Sequence, residues 1–190
     1  MNTKLITIIV VVVLVAVGQY LSRSDSGGEI GAPGVTGVAG EVALTLAGEQ
    51  RTVDPDMTPP DFLIIPDGGQ AKSLAELQGK PVFINFWNTW CPPCRDEMPD
   101  LDRLYREFGQ DVEFIFINIL TGEKSLPDVT KFLSDHGYTI PVYLDRQGEV
   151  ARVYGISGIP TTVVLSSSGE VVYASAGQIS YNKAKSLIKE

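Results

Sequence analysis

A near-continuous apolar run, Pro81-Val82-Phe83-Ile84-Asn85-Phe86-Trp87, leads through Asn88-Thr89-Trp90 into Cys91-Pro92-Pro93-Cys94, and this junction constrains the fold more than any other stretch. A run of that length, bounded by proline and polar residues, predicts a buried strand. Pro93 is favourable near a helix start, where its missing N–H is one of those the helix leaves unpaired anyway. A strand therefore feeds a helix, and the two cysteines sit where they meet. A helix N-terminus carries partial positive charge and free N–H groups, so a thiol placed there is held partly as thiolate, the form that attacks disulfides. These are the only two cysteines in the chain. The pair reads as a redox dithiol.

Other uses of two cysteines fit the sequence poorly. A structural zinc site needs four ligands, and the chain offers beside the pair only one distant histidine, His136. A c-type haem site requires His directly after the second cysteine, where Arg95 stands. A purely structural disulfide closing so short a loop removes little chain entropy. No metal and no cofactor is expected beyond the dithiol itself.

Around this junction strands and helices alternate. Phe62–Ile65 and Lys72-Ser73 flank the turn Asp67-Gly68-Gly69 and predict an N-terminal hairpin, followed by a short helix at Leu74–Leu77. Val82–Trp87 is the first buried strand, and the helix after it runs to about Phe108, bent by Pro99. Then come a strand at Val112–Ile119, a helix at Pro127–His136, a strand at Val142–Leu144 and a short helix at Val150–Tyr154. Thr162–Leu165 and Val171–Ala176 form a terminal hairpin before a helix at Ser180–Ile188. Such an order gives an α/β domain with a central mixed sheet flanked by helices and an N-terminal hairpin extension.

The first residues bear on location. Leu5 to Ser22 carries no charge and its centre, Ile8 to Val17, is continuously apolar, so at about 1.5 Å per residue it can cross most of a bilayer core. Residues 1–22 are expected to be a membrane anchor with the amino terminus inside and the domain outside. A cleaved signal peptide is the rival, because Ala16-Val17-Gly18 offers small residues where a signal peptidase reads. No cysteine follows the run, which excludes lipid attachment there. Residues 23–58 read as a Gly-rich flexible linker, with Glu41–Ala47 alternating enough to suggest a strand but left unassigned. The domain proper is expected over 59–190. A net charge of −8 without a basic run argues against a nucleic-acid partner.

The block Phe86-Trp87-Asn88-Thr89-Trp90-Cys91-Pro92-Pro93-Cys94-Arg95-Asp96-Glu97-Met98-Pro99, with Gly158-Ile159-Pro160-Thr161-Thr162 far downstream, resembles the membrane-anchored thioredoxin-like proteins of the ResA/TlpA group. The likeness spans about Pro59 to Glu190. It implies a thioredoxin-like fold and thiol–disulfide exchange, with Cys91 as the exposed nucleophile and Cys94 as the resolving thiol. Pro160 resembles the cis-proline that thioredoxins set against the dithiol. Ile159 and Thr161 beside it, together with Trp90 and Pro92, are assigned to substrate contact; Trp87 is expected in the core. Asn85 departs from the pattern, since thioredoxin carries a buried Asp there that exchanges protons with the resolving thiol, and an amide cannot titrate. By resemblance Glu123, in the loop after the second strand, is the candidate to move that proton. Glu97 is read as a carboxylate complementing the helix dipole, and His136 as a helix-end surface residue.

The expected function is extracytoplasmic thiol–disulfide exchange. Pro92-Pro93 adds no charge or donor that would strongly stabilise the thiolate, so reductant is favoured over oxidant. The resemblance implies disulfide-containing protein substrates such as apocytochrome c on the periplasmic or extracellular side, with a membrane thiol-transfer protein as electron donor. Two alternatives belong to other classes. A thiol peroxidase would need Thr three residues before its cysteine, where Asn88 stands; a non-catalytic tethered binding module would not need the intact dithiol.

Overall fold

The computed structural model describes residues 37–44 and 52–189. The anchor and the first part of the linker, residues 1–36, lie outside them. Eight strands form one mixed sheet: β1 (Val38–Leu44), β2 (Phe62–Pro66), β3 (Lys72–Ser73), β4 (Val82–Trp87), β5 (Glu113–Ile119), β6 (Val142–Asp145), β7 (Thr161–Leu165) and β8 (Val171–Ala176). Their order across the sheet is β3-β2-β1-β6-β5-β4-β7-β8. The helices are α1 (Pro92–Phe108), α2 (Leu126–His136), α3 (Glu149–Val153) and α4 (Tyr181–Leu187), with 3-10 turns at Leu74–Leu77 and Leu120–Gly122.

The apolar run does become the centre of the molecule. β4 is buried along its whole length, pairs parallel with β5 and antiparallel with β7, and alternates its side chains between two cores. Phe83 and Trp87 face α1, α2 and α4 with Met98, Leu101, Leu133 and Ala184. Val82, Ile84 and Phe86 face the other core, where α3 supplies Val150 and Ala151. Asn85 shares the face of Phe83 and Trp87, so the sheet's alternation aims an amide at the active-site helix.

Val38–Leu44 lies in the stretch read as linker and overlaps the Glu41–Ala47 alternation that suggested a strand; the structure makes it a strand inside the sheet. β1 pairs antiparallel with β2 and parallel with β6, extending the hairpin and joining it to the central strands. Gly40 permits this, because a Cβ there would lie 2.1 Å from the Ile65 carbonyl oxygen across the ladder.

Candidate functional site

Cys91 caps the N-terminus of α1 in extended backbone geometry, at φ −83° and ψ 109°. Pro92 and Pro93 occupy the first two helical positions and have no N–H to offer. The first free N–H is therefore that of Cys94, and it donates to Cys91 Sγ at 3.3 Å. A donor and a helix N-terminus converge on the same sulfur, the environment that stabilises a thiolate there. Cys91 and Cys94 form a disulfide. The two sulfurs face different surroundings. Cys91 borders an open groove of about 450 Å³ whose walls include Trp90, Pro92, Pro93, Ile119, Ile156 and Ile159. Cys91 is not exposed as the sequence reading expects: it is itself buried, 2% accessible, and only its edge meets the groove, while Cys94 is wholly buried among Trp87, Met98 and their neighbours.

The Ile159–Pro160 peptide bond is cis, and the Ile159 carbonyl oxygen lies 3.6 Å from Cys91 Sγ. Sixty-nine positions apart in sequence, Cys91 and Pro160 meet because β7 runs antiparallel beside β4 and brings its leading loop to the start of α1. Trp90 is exposed, 58% accessible, yet its indole N–H is fixed on the Gly122 carbonyl at 2.6 Å. Three of the residues assigned to substrate contact, Trp90, Pro92 and Ile159, line the groove. Thr161 is not among its walls. Its side chain is buried and its hydroxyl donates to the Gly158 carbonyl at 2.7 Å, so it shapes the loop before Pro160 instead.

Glu123 is neither a solvated loop residue nor hydrogen-bonded to a sulfur. Its Oε1 accepts from Asn88 Nδ2 (3.0 Å), Thr89 N–H (2.6 Å) and Asn118 Nδ2 (2.8 Å), and its Oε2 from the Thr89 hydroxyl (2.6 Å). The carboxylate ties the loop after β5 to the segment immediately before Cys91, and Asn88 extends the tie to the Ile119 carbonyl at 2.8 Å. A carboxylate so supplied with donors acts as a brace.

Glu97 is the residue the sequence reading undervalued. It lies one turn beyond Cys94 on α1 but faces inward and is 1% exposed. Its Oε1 accepts from Asn85 Nδ2 at 2.9 Å and its Oε2 from the Ile179 N–H at 2.9 Å. Those two bonds do not compensate for lost water, and burial raises its pKa from 4.5 to about 7. The sequence did carry a signal for this: the strand residue facing the helix is an amide, and a carboxylate stands three residues after the second cysteine. His136 closes α2 with Nδ1 2.8 Å from the Phe132 carbonyl and its ring stacked on Tyr138, outside the dithiol's surroundings.

Comparison with known proteins gives the constellation its place. The Redoxin family model matches residues 52–188. The thiol-disulfide oxidoreductase ResA of Geobacillus thermodenitrificans is 40% identical over 124 residues, 65% of this chain and 70% of the relative. Among solved structures, StoA from Bacillus subtilis superposes with a TM-score of 0.61 at 28% identity, covering 70% of this chain and 98% of that one. The pneumococcal exposed lipoprotein thioredoxin Etrx1 from Streptococcus pneumoniae does so with a TM-score of 0.59 at 26% identity, covering 68% and 98%. Taken with a dithiol at a helix start, the matches show that the chain belongs to the Redoxin family, as a ResA-like thiol–disulfide oxidoreductase of thioredoxin-like fold.

Proposed function

We propose that the protein works outside the cytoplasm, held to the membrane by residues 1–22, and reduces disulfides of cell-envelope proteins such as apocytochrome c with electrons from a membrane thiol-transfer protein. The observation that carries this reading is the one-sidedness of the dithiol: Cys91 borders the groove while Cys94 is sealed beneath it. An attacking sulfur must reach a partner, and a resolving sulfur must reach only the first sulfur.

In the reduced protein the Cys91 thiolate attacks one sulfur of the partner's disulfide. A Cys91–partner bond forms as the partner's own S–S bond breaks, and the departing sulfur takes up a proton. Cys94 then loses its proton and attacks Cys91 Sγ, releasing the partner's second thiolate and leaving the Cys91–Cys94 disulfide. Two electrons pass to the partner. Glu97, a turn from Cys94 and poised near neutrality, accepts the Cys94 proton, while Glu123 keeps the Trp90–Cys91 segment in place. The groove walls and the backbone before Pro160 receive the partner's cysteine-bearing strand.

The test is capture in the native host. Cys94→Ser should accumulate mixed disulfides with envelope proteins that carry paired cysteines, and the wild-type protein should reduce insulin disulfides. Its potential should fall at roughly −220 to −290 mV; a value near −120 mV, that of a strong oxidant, would overturn the reductant reading. Retention in membranes after alkaline carbonate washing supports the anchor, whereas a soluble form beginning at Gln19 establishes a cleaved leader.

A further inference from the structure

Asn85 stands on the buried face of β4, 0% exposed, and both hydrogens of its amide are engaged: Nδ2 donates to Glu97 Oε1 at 2.9 Å and to Thr162 Oγ1 at 3.1 Å. Its carbonyl oxygen, equally buried, has no partner among the described residues. We propose that Asn85 is a positioning residue whose amide inverts with the protonation of Glu97, donating to the carboxylate and accepting from the acid, with the Thr162 hydroxyl reversing in step. This rests on the reading of Glu97 as the acceptor of the Cys94 proton.

The hydrogen-bond inventory determines where that proton must go. Glu97 Oε2 faces the Ile179 N–H, which can only donate, so Oε2 stays an acceptor and Oε1 is the oxygen that takes the proton. Oε1 is the atom facing Asn85. Once it carries a hydrogen, the amide's N–H confronts an O–H, donor against donor. A half-turn of the amide brings its carbonyl oxygen to the same place, where it accepts from Glu97 Oε1–H and from the Thr162 hydroxyl. That hydroxyl makes no other hydrogen bond among the described residues and is free to turn. Two hydrogen bonds are kept in each state. No hydrogen bond has to break at the other end, because no donor among the described residues holds the carbonyl oxygen; after the turn the Nδ2 hydrogens are the unpartnered groups.

The side chains nearest in size do not fit both states. Aspartate would set a second carboxylate about 3 Å from the first and force the two to share a proton, and leucine would leave Oε1 without donor or acceptor. Among the described residues no charged side chain is hydrogen-bonded to Glu97. From β4 Glu97 meets Asn85, whose amide also reaches Thr162 on β7, and from the segment before α4 the Ile179 N–H. On its own helix Cys94 lies one turn back in the disulfide, and Asp100 ahead accepts from the Tyr181 N–H at 3.3 Å. The pair Asn118 and Glu123 marks the contrast. Asn118 also leaves its carbonyl oxygen unpartnered, but Glu123 has three further hydrogen bonds that protonation would disturb.

The test uses the full-length oxidised protein labelled with carboxyl ¹³C in glutamate and ¹⁵N in asparagine side chains, titrated by NMR. In the wild type the Asn85 amide resonances should move with the same midpoint as the Glu97 carboxyl. Asn85→Asp should split that titration into two steps and raise the upper midpoint by about tenfold in proton affinity or more. The reciprocal swap, Asn85→Asp with Glu97→Gln, restores one carboxyl facing one amide and should return a single step, together with the wild-type pH profile of insulin reduction. Asn85 resonances that stay fixed while Glu97 titrates would overturn the inversion and leave the proton reading standing. A Glu97 that does not titrate between about pH 5 and 9 would overturn both. The wild-type titration decides the matter even where a variant fails to fold.

Discussion

Glu97 and Glu123 flank the dithiol from its two sides, one receiving a single asparagine amide and the other two, and their surroundings differ. Glu97 follows the cysteines on α1, is sealed from water and has two donors. Glu123 reaches back to the residues before the cysteines, is half-buried and has four. A carboxylate with few donors in a dry place becomes a proton store; one saturated with donors becomes a staple. On the proposed mechanism the same side chain thus serves chemistry on the inner side of the dithiol and geometry on its outer side.

The largest effect should come from the sulfurs that divide those sides. Cys91→Ser removes the group facing the groove and should lower insulin-disulfide reduction on the order of 10³-fold or more. Cys94→Ser should also stop turnover but accumulate a mixed disulfide through Cys91, visible by non-reducing electrophoresis and mass spectrometry. Stable adducts on Cys94 in a Cys91→Ser protein would break the inner and outer assignment.

Glu97 should show itself in stability as well as rate. Its folded pKa of about 7 lies above its ordinary 4.5, so the folded state binds the proton more tightly than the unfolded chain. That contribution is complete below about pH 4.5, declines as pH rises and is lost just above 7. At about 1.4 kcal/mol per pH unit the difference is about 3 kcal/mol. Asp145, which caps α3 and is likewise raised by burial, contributes with the same sign, so the decisive quantity is wild type against Glu97→Gln. Urea unfolding of the oxidised proteins should give the wild type a steeper loss of stability between pH 5 and 8 by about that amount. Equal slopes would return Glu97 to a structural role.

What the sequence made legible follows the range of the forces involved. The strand–Cys91–helix junction, the helix spans and the terminal hairpin rest on local signals: apolar runs, prolines, glycine turns. Val38–Leu44 was only partly legible: the alternation over Glu41–Ala47 suggested a strand, but in a Gly-rich stretch it acquires meaning only when β6, about a hundred residues later, offers a parallel edge. The two carboxylates fall in the same class. Glu97 becomes an interior group through Ile179, 82 positions away, and Glu123 becomes a brace through Thr89, 34 positions away. Resemblance supplied the region of Glu123, but its hydrogen-bond partners were not legible there.

Glu123→Ala should therefore have a smaller and different effect from Glu97→Gln. It leaves the Thr89 N–H and the Asn118 amide without an acceptor in a half-buried place, at a cost of about 2 kcal/mol. The loosened Trp90–Cys91 segment should raise KM more than it lowers kcat, with the pH profile of turnover unchanged. A shifted profile in this variant, together with a flat one in Glu97→Gln, would exchange the two roles and break the comparison outright.

The smallest effect tests whether the outer side binds or merely holds its shape. Trp90 does two things: its indole N–H reaches the Gly122 carbonyl and its exposed ring forms a wall of the groove. Trp90→Phe removes the first and keeps the second. With water at hand for the freed carbonyl, the cost to stability should be below about 1 kcal/mol and KM nearly unchanged. Trp90→Ala removes both, and the added loss belongs to the ring's apolar area, which matters only when a partner covers it. Its KM for a protein disulfide should rise severalfold while reduction of a small-molecule disulfide, too short to span the groove, stays near wild type. Parallel losses on both substrates would mean that the ring supports Cys91 itself, and the outer side would then serve geometry alone.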